Sequence, residues 1–236
     1  MKSLLCLSII LCIACPAQAA DLIAPDLTGL VTEDGIGVYQ MIMKEVSKRS
    51  GVKFTEKFYP PKRAFGAFLK DENRCIYSFT DDAAEILGKD KIISSIPIGV
   101  FKMYIFTKKG ESALTSVSQL KGKKMAGVLG LGVYNEKLKI KEAGVKLMTT
   151  ENNEEAFRVL QKGRVHAIMA FLPDMNPFVD ELSYSPKNPL IVAYDRITCH
   201  NSETGKQFID SISPTLKKMK ETGVIKKILG SFYLEE

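Results

Sequence analysis

The residues with the most chemical character in this sequence stand just past runs that read as strands. Ser78 lies at the end of the strand-like run 74–79, Thr80 and Asp81 follow it, and Asp174 follows 165–170. Loops beyond strand ends are where open α/β sheets bind ligands, so these four are site candidates. Thr80, Asp81 and Asp82 would serve equally well as the cap of a short helix over 83–87. Arg63 falls in the first turn of a helix opened by Pro60-Pro61, where its planar guanidinium suits a carboxylate and would also suit an ordinary surface ion pair. The stretch 121–137, KGKKMAGVLGLGVYNEK, combines a short buried strand, a Gly130-Leu131-Gly132 turn and a helix opening. Such a turn presents free backbone N–H groups to a carboxylate or phosphate, although a tight turn without ligand has the same pattern. Glu33 and Asp174 would be the pair for acid–base chemistry across a cleft. Scattered loop acids are usually solvated, so catalysis is not expected.

These candidates depend on a strand–helix rhythm. Residues 21–24 read as a first strand. Val38, Tyr39, Ile42, Met43 and Val46 share a helical stripe that Gly51 stops after Lys48-Arg49. Strand 52–58, the Pro-opened helix with Ala64, Phe65, Phe68 and Leu69 on its buried face, and strand 74–79 follow. The run 100–107 is a strand leading to a Ser/Thr-rich change of composition near 112–118. The middle then alternates strand 124–128, helix 134–142, strand 145–148, helix 153–161 capped by Asn152-Asn153, and strand 165–170. That βαβ order predicts parallel sheets flanked by helices. A short helix over 177–182, a strand over 190–194, a long helix carrying Phe208, Ile209, Ile212, Leu216 and Met219, and a last helix after Gly223 complete the chain.

Residues 1–20 read as a cleavable secretory signal. Lys2 precedes a short apolar run, Ala17-Gln18-Ala19 supplies the small-x-small cleavage pattern, and cleavage after Ala19 or Ala20 fits equally. Cys15 leaves a lipoprotein as the alternative. The apolar run is shorter than the ~20 residues that span a bilayer. About 215 residues remain, enough for one large domain or two small ones. The formal charge is +6, with lysines and acids interspersed and no tryptophan. A solvated lysine-rich surface explains this better than nucleic-acid binding, which is not expected. Of five cysteines, Cys75 and Cys199 alone lie beyond residue 20. In an oxidising compartment they would form one disulfide or remain as two buried thiols.

Several elements together resemble the periplasmic solute-binding protein family 3, the extracellular receptors of amino-acid ABC importers. They are Asp34-Gly35-Ile36-Gly37-Val38-Tyr39, then Ser95-Ile96-Pro97-Ile98 before a crossing strand, then Leu120-Lys121-Gly122-Lys123-Lys124 before the glycine turn, and the closing run 208–233. The resemblance covers essentially the whole chain after the signal. It implies a two-lobe α/β clamshell joined by two crossing strands, with lobe one formed by 21–104 plus 196–236 and lobe two by 105–195. It also brings Cys75 and Cys199 into one lobe, which favours the disulfide.

The implied function is capture of a small polar or anionic solute, amino-acid-like or an organic acid, by a periplasmic monomer that needs no cofactor and delivers it to an ABC permease. A receptor reporting to a membrane signalling partner, and a periplasmic dehydratase on the same fold, are the alternatives. The implied site takes Arg63, Ser78, Thr80 and Asp81 from lobe one, and Gly130, Gly132 and Asp174 from lobe two. Tyr39 or Tyr134 would be stacking surfaces. Three departures stand out. The region after the third strand, Thr80-Asp81-Asp82-Ala83-Ala84-Glu85, lacks the family's carboxylate-gripping arginine. The glycine turn continues into Leu131-Gly132-Val133 without a hydroxyl. His166, read as structural, stands where the family has an aspartate, so an acid for an α-ammonium is either displaced to Asp174 or absent.

Overall fold

The computed structural model describes residues 20–128 and 132–235. The chain begins with β1 (Ala20–Pro25), α1 (Val38–Ser50), β2 (Phe54–Tyr59), α2 (Pro61–Leu69), β3 (Arg74–Tyr77), α3 (Thr80–Leu87) and β4 (Ile92–Ser94). The middle carries β5 (Gly99–Lys108), β6 (Lys124–Val128), α4 (Gly132–Lys137), β7 (Lys146–Thr150), α5 (Asn153–Gln161), β8 (Ala167–Leu172), β9 (Leu182–Ser183) and β10 (Ile191–Asp195). The chain then adds β11 (Ile197–His200), α6 (Glu203–Glu221) and α7 (Val224–Leu229).

The strands make two mixed sheets. One has the order β2-β1-β3-β11-β4 and the other β10-β5-β8-β6-β7, with β9 paired to β5. β1 runs parallel to β2 and β3, and β6 runs parallel to β7 and β8, as the βαβ rhythm requires. The second sheet takes all of β5 from Gly99 onward, so the expected division at 104/105 runs through the middle of a strand. The return at 195/196 falls between β10 and β11. The two crossings lie side by side: Ile98 N–H donates to the Asp195 carbonyl at 2.8 Å, and Ser95 N–H donates to the Ile197 carbonyl at 2.9 Å.

Each sheet has its own core. In the first, α1 buries Tyr39, Ile42, Met43 and Val46 against Leu22, Cys75 and the apolar face of α6. Burying side chains of this size contributes about 1.5–3 kcal/mol each. α1 stops as expected at Gly51, whose φ of 75° suits a residue without Cβ and lets its N–H reach the Ser47 carbonyl. Cys75 and Cys199 face each other across the antiparallel β3·β11 pair and are joined in a disulfide. The whole second sheet therefore lies inside a covalent loop anchored in the first.

Some elements differ from expectation. β3 ends at Tyr77 because Ser78 and Phe79 take left-handed φ values of 65° and 55°. α3 starts at Thr80, and no side-chain cap closes its N-terminus, so Thr80 and Asp81 are not the cap that the sequence suggested. α4 is six residues long and stops before 142, since Lys139 at φ 51° turns the backbone out of the helix. The helix expected over 177–182 is a 3-10 turn, Asn176–Glu181, followed by β9.

Candidate functional site

The carboxyl ends of the parallel strands in both sheets open onto one cleft. From the first sheet, β1 leads to Asp26 and Leu27, and β3 leads to Ser78. From the second, β6 leads toward Tyr134, β7 to Asn152 and Asn153, and β8 to Phe171, cis-Pro173 and Asp174. Apart from Phe171, which still pairs with Met103 in the ladder, these positions lie past the strand ends, where they can meet a solute. The main chamber has a volume of about 920 Å³. A side chamber of about 630 Å³ adjoins it, sharing Leu27, Tyr134, Asn153, Phe171 and Asp174 as its wall and adding Asp81, Asp82, Glu85, Lys89 and Lys137.

The aromatic wall comes from three elements. Phe171 on β8 meets Phe101 on β5 edge-to-face at 6.0 Å, and Tyr134 on α4 meets Phe171 in the same manner at 5.1 Å. Such contacts fix ring orientation without metal or covalent support. α5 positions Asn152 and Asn153 at the rim, since the Asn152 side chain caps the helix by accepting from Glu155 N–H at 2.8 Å. Asn176 ties the two halves at one edge by donating to the Ser231 carbonyl at 2.6 Å.

Asp195, at the end of β10, sits where the cleft meets the crossing strands. Its Oδ2 accepts from the Tyr39 hydroxyl at 2.8 Å, and its Oδ1 accepts from the Ser78 hydroxyl. Burial pushes the Asp195 carboxyl up, while the two hydroxyl donors pull it back. Asp174 stands across the chamber. It is exposed to water, though it stands between the walls of the cleft and not on an open face. That enclosure, and then the Asp195 charge, raises its pKa to about 6. Tyr134 is pushed up to about 12 by burial and then by Asp82, Asp81 and Asp195. Burial also raises Asp82.

The raised Asp174 value has a consequence for stability. Between the ordinary 3.8 and about 6, the folded protein holds more protons than the unfolded chain, so stability falls as pH rises through that window. The ionised carboxylate is thus unfavourable above pH 6, and the penalty vanishes near pH 4. Asp174→Asn is expected to raise the Tm of the ligand-free protein at pH 7.5 by about 2–4 °C, or about 1 kcal/mol after screening by cleft water. It should raise it little at pH 4. Thermal melts at the two pH values check this, and an equal gain at both contradicts it.

Of the residues expected at the site, Ser78, Asp81, Tyr134 and Asp174 line the cleft. Tyr39 does not offer a stacking face. Its ring is 1% exposed, and it reaches the cleft only through its hydroxyl on Asp195. The Thr80 hydroxyl pairs with the Thr198 hydroxyl at 2.6 Å beneath the surface. Arg63 is exposed over the Tyr59 ring, 5.8 Å from its centroid, and is absent from the described lining. Gly130 lies outside the described residues, and Gly132 opens α4. Glu33 is exposed and does not pair with Asp174 in the described lining. His166 accepts from Lys124 N–H at 3.4 Å, in keeping with a structural part.

The sequence reading does not single out Asp26, Phe101, Phe171 or Asp195. Asp26 follows β1 as Asp174 follows β8, so the strand-end rule would have found it. Asp195 carries no local motif, because its position depends on the two crossings lying together. Among the described residues, no group of His, Cys, Asp and Glu is arranged to hold a metal ion. No helix among them is long and apolar enough to cross a membrane.

No protein-family model matches the sequence, and no curated protein sequence matches it. Solved structures do match. An ancestral arginine-binding protein bound to arginine is 22% identical, over 92% of this chain and 98% of that one, with a TM-score of 0.63. The GluR0 ligand-binding core with L-glutamate is 17% identical over 92% and 99%, with a TM-score of 0.67. The second substrate-binding domain of Lactococcus lactis GlnP, in an open conformation, is 15% identical over 92% and 96%, with a TM-score of 0.65. The chain has the two-lobe α/β fold of these ligand-binding domains.

Proposed function

We propose that the protein is an extracytoplasmic solute-binding protein that captures a small molecule between its lobes and passes it to a membrane permease. The observation that carries this reading is the cleft: strand ends from both sheets converge on one chamber spanned by two adjacent crossing segments. A solute touching both walls would favour the closed state by its differential affinity for it. Solved neighbours of this fold include an amino-acid ABC transporter's substrate-binding protein, which supports transport over catalysis. The site set consists of Ser78, Asp81, Tyr134 and Asp174. Residues 1–20 would direct export. Cleavage after Ala19 is favoured over Ala20, because Ala20 pairs with Phe54 in β1.

A monomer acting with an ABC-type permease fits the hinged cleft, which is complete within one chain. The test is a thermal-shift panel of amino acids, organic acids and amines on protein stripped of bound ligand. A specific solute at 100 times its Kd should stabilise the fold by about 2.7 kcal/mol. Silence across every class would refute solute capture.

A further inference from the structure

We propose that the solute is an organic cation carrying no carboxylate, an alkyl amine rather than an amino acid or an organic acid. This rests on the solute-binding reading above and departs from the polar or anionic solute, amino-acid-like or an organic acid, expected from the sequence.

The charged residues lining the main chamber are Asp26, Glu154, Asp174 and Asp195, and no lysine or arginine is among its described lining. The three residues that adjoin α4 outside the described chain are Leu129, Gly130 and Leu131, which add no charge. In the side chamber, Lys89 and Lys137 share the wall with Asp81, Asp82 and Glu85. Arg63, which the sequence placed at the site, and Arg196, next to Asp195, are both outside the described lining. Arg63 sits exposed over Tyr59, and Arg196 donates to the Ser95 carbonyl at 2.9 Å while lying over the Tyr194 ring. A ligand carboxylate entering the main chamber would lose its hydration among like charges and find no cation there.

An ammonium meets the opposite conditions. The open carboxylate of Asp174 and the anchored carboxylate of Asp195 face the same space, so one cation relieves the repulsion between them. Phe101, Phe171 and Tyr134 supply ring surfaces on the same wall, and aromatic faces attract ammonium and guanidinium groups. Tyr39 and Ser78 hold Asp195 from behind, so it is set before the ligand arrives. The alkyl portion of an amine suits the apolar remainder of the chamber, where Leu27, Leu30 and Phe178 stand.

The experiment compares amino acids with the amines left by removing their carboxylates: arginine with agmatine, ornithine with putrescine, lysine with cadaverine. Choline, glutamate and lactate complete the set, and binding to the ligand-stripped protein is measured by calorimetry at pH 7.5. At least one amine should bind about tenfold or more tighter than its amino acid, and Asp174→Asn should weaken that amine about tenfold or more. The inference is overturned if the amino acids bind tighter, or if glutamate or lactate binds best. In both cases solute capture would stand. It is also overturned if Asp174→Asn leaves amine affinity unchanged. Silence from every compound would remove the cation inference, and silence across the wider panel would remove solute capture as well.

Discussion

Replacing Cys75 and Cys199 together by alanine is expected to lower the unfolding free energy by about 2–5 kcal/mol. The bond closes a loop of 124 residues, long enough that the chain-entropy contribution approaches the upper end of that range. Both cysteines are fully buried, packed in the core that holds α1 and α6 to the first sheet. The bond also joins β3 to β11, the two strands that flank Ser78 and Asp195 at the hinge. Its loss should therefore loosen the hinge as well as the core. Urea unfolding of the wild type with and without reductant, beside the double variant, separates the covalent effect from the missing sulfur atoms. Reductant should shift the wild-type midpoint strongly and leave the variant unmoved. A wild-type midpoint indifferent to reductant in the unfolded, exposed state would contradict the account.

Gly99→Ala should cost about 2–4 kcal/mol although it adds one methyl group. A Cβ built on Gly99 would lie 2.0 Å from the Tyr39 hydroxyl oxygen and 2.8 Å from the ring carbon bearing it. Tyr39 cannot retreat, because its ring is packed among Leu22, Leu30 and Ile42 in the first core. Overpacking of this kind costs about 1–3 kcal/mol, and displacing the hydroxyl from Asp195 adds the penalty of a lost buried hydrogen bond. Tyr39→Phe removes the clashing oxygen, so the pair of substitutions should cost less than the sum of the two alone. Urea midpoints of the two single variants and the double variant measure that coupling. A loss below about 0.5 kcal/mol for Gly99→Ala, or strict additivity, would mean that the crossing strand is not held by Tyr39.

Most of the fold is legible in the sequence because it rests on local periodicity. α1, α2, α5 and α6 announce themselves through apolar stripes and caps, and the parallel strands through their spacing around those helices. What escapes is set by backbone torsions and by contacts distant in sequence. Ser78 and Phe79 end β3 through left-handed φ values that neither residue type advertises, and Lys139 shortens α4 in the same manner. The site divides along the same line. Ser78, Asp81 and Asp174 are found by the strand-end rule, and Tyr134 enters as a stacking surface that the resemblance implies. Tyr39 lies on an amphipathic helix, and whether its ring faced core or cleft depended on Gly99, sixty residues later. The aromatic wall of Phe101 and Phe171 reads in sequence as ordinary strand core, and only the meeting of β5 and β8 turns it toward the chamber. The charge of the cleft was hidden for a related reason. The chain is basic as a whole, at +6, while its strand ends collect acids.

One solute is expected to bridge both walls and close them. Small-angle X-ray scattering of the protein, stripped of ligand and then saturated with the tightest binder of the panel, tests this most directly. The radius of gyration should fall on saturation, and Asp174→Asn should need about tenfold or more ligand to reach the same fall. Saturable binding with an unchanged radius of gyration would contradict closure on the ligand.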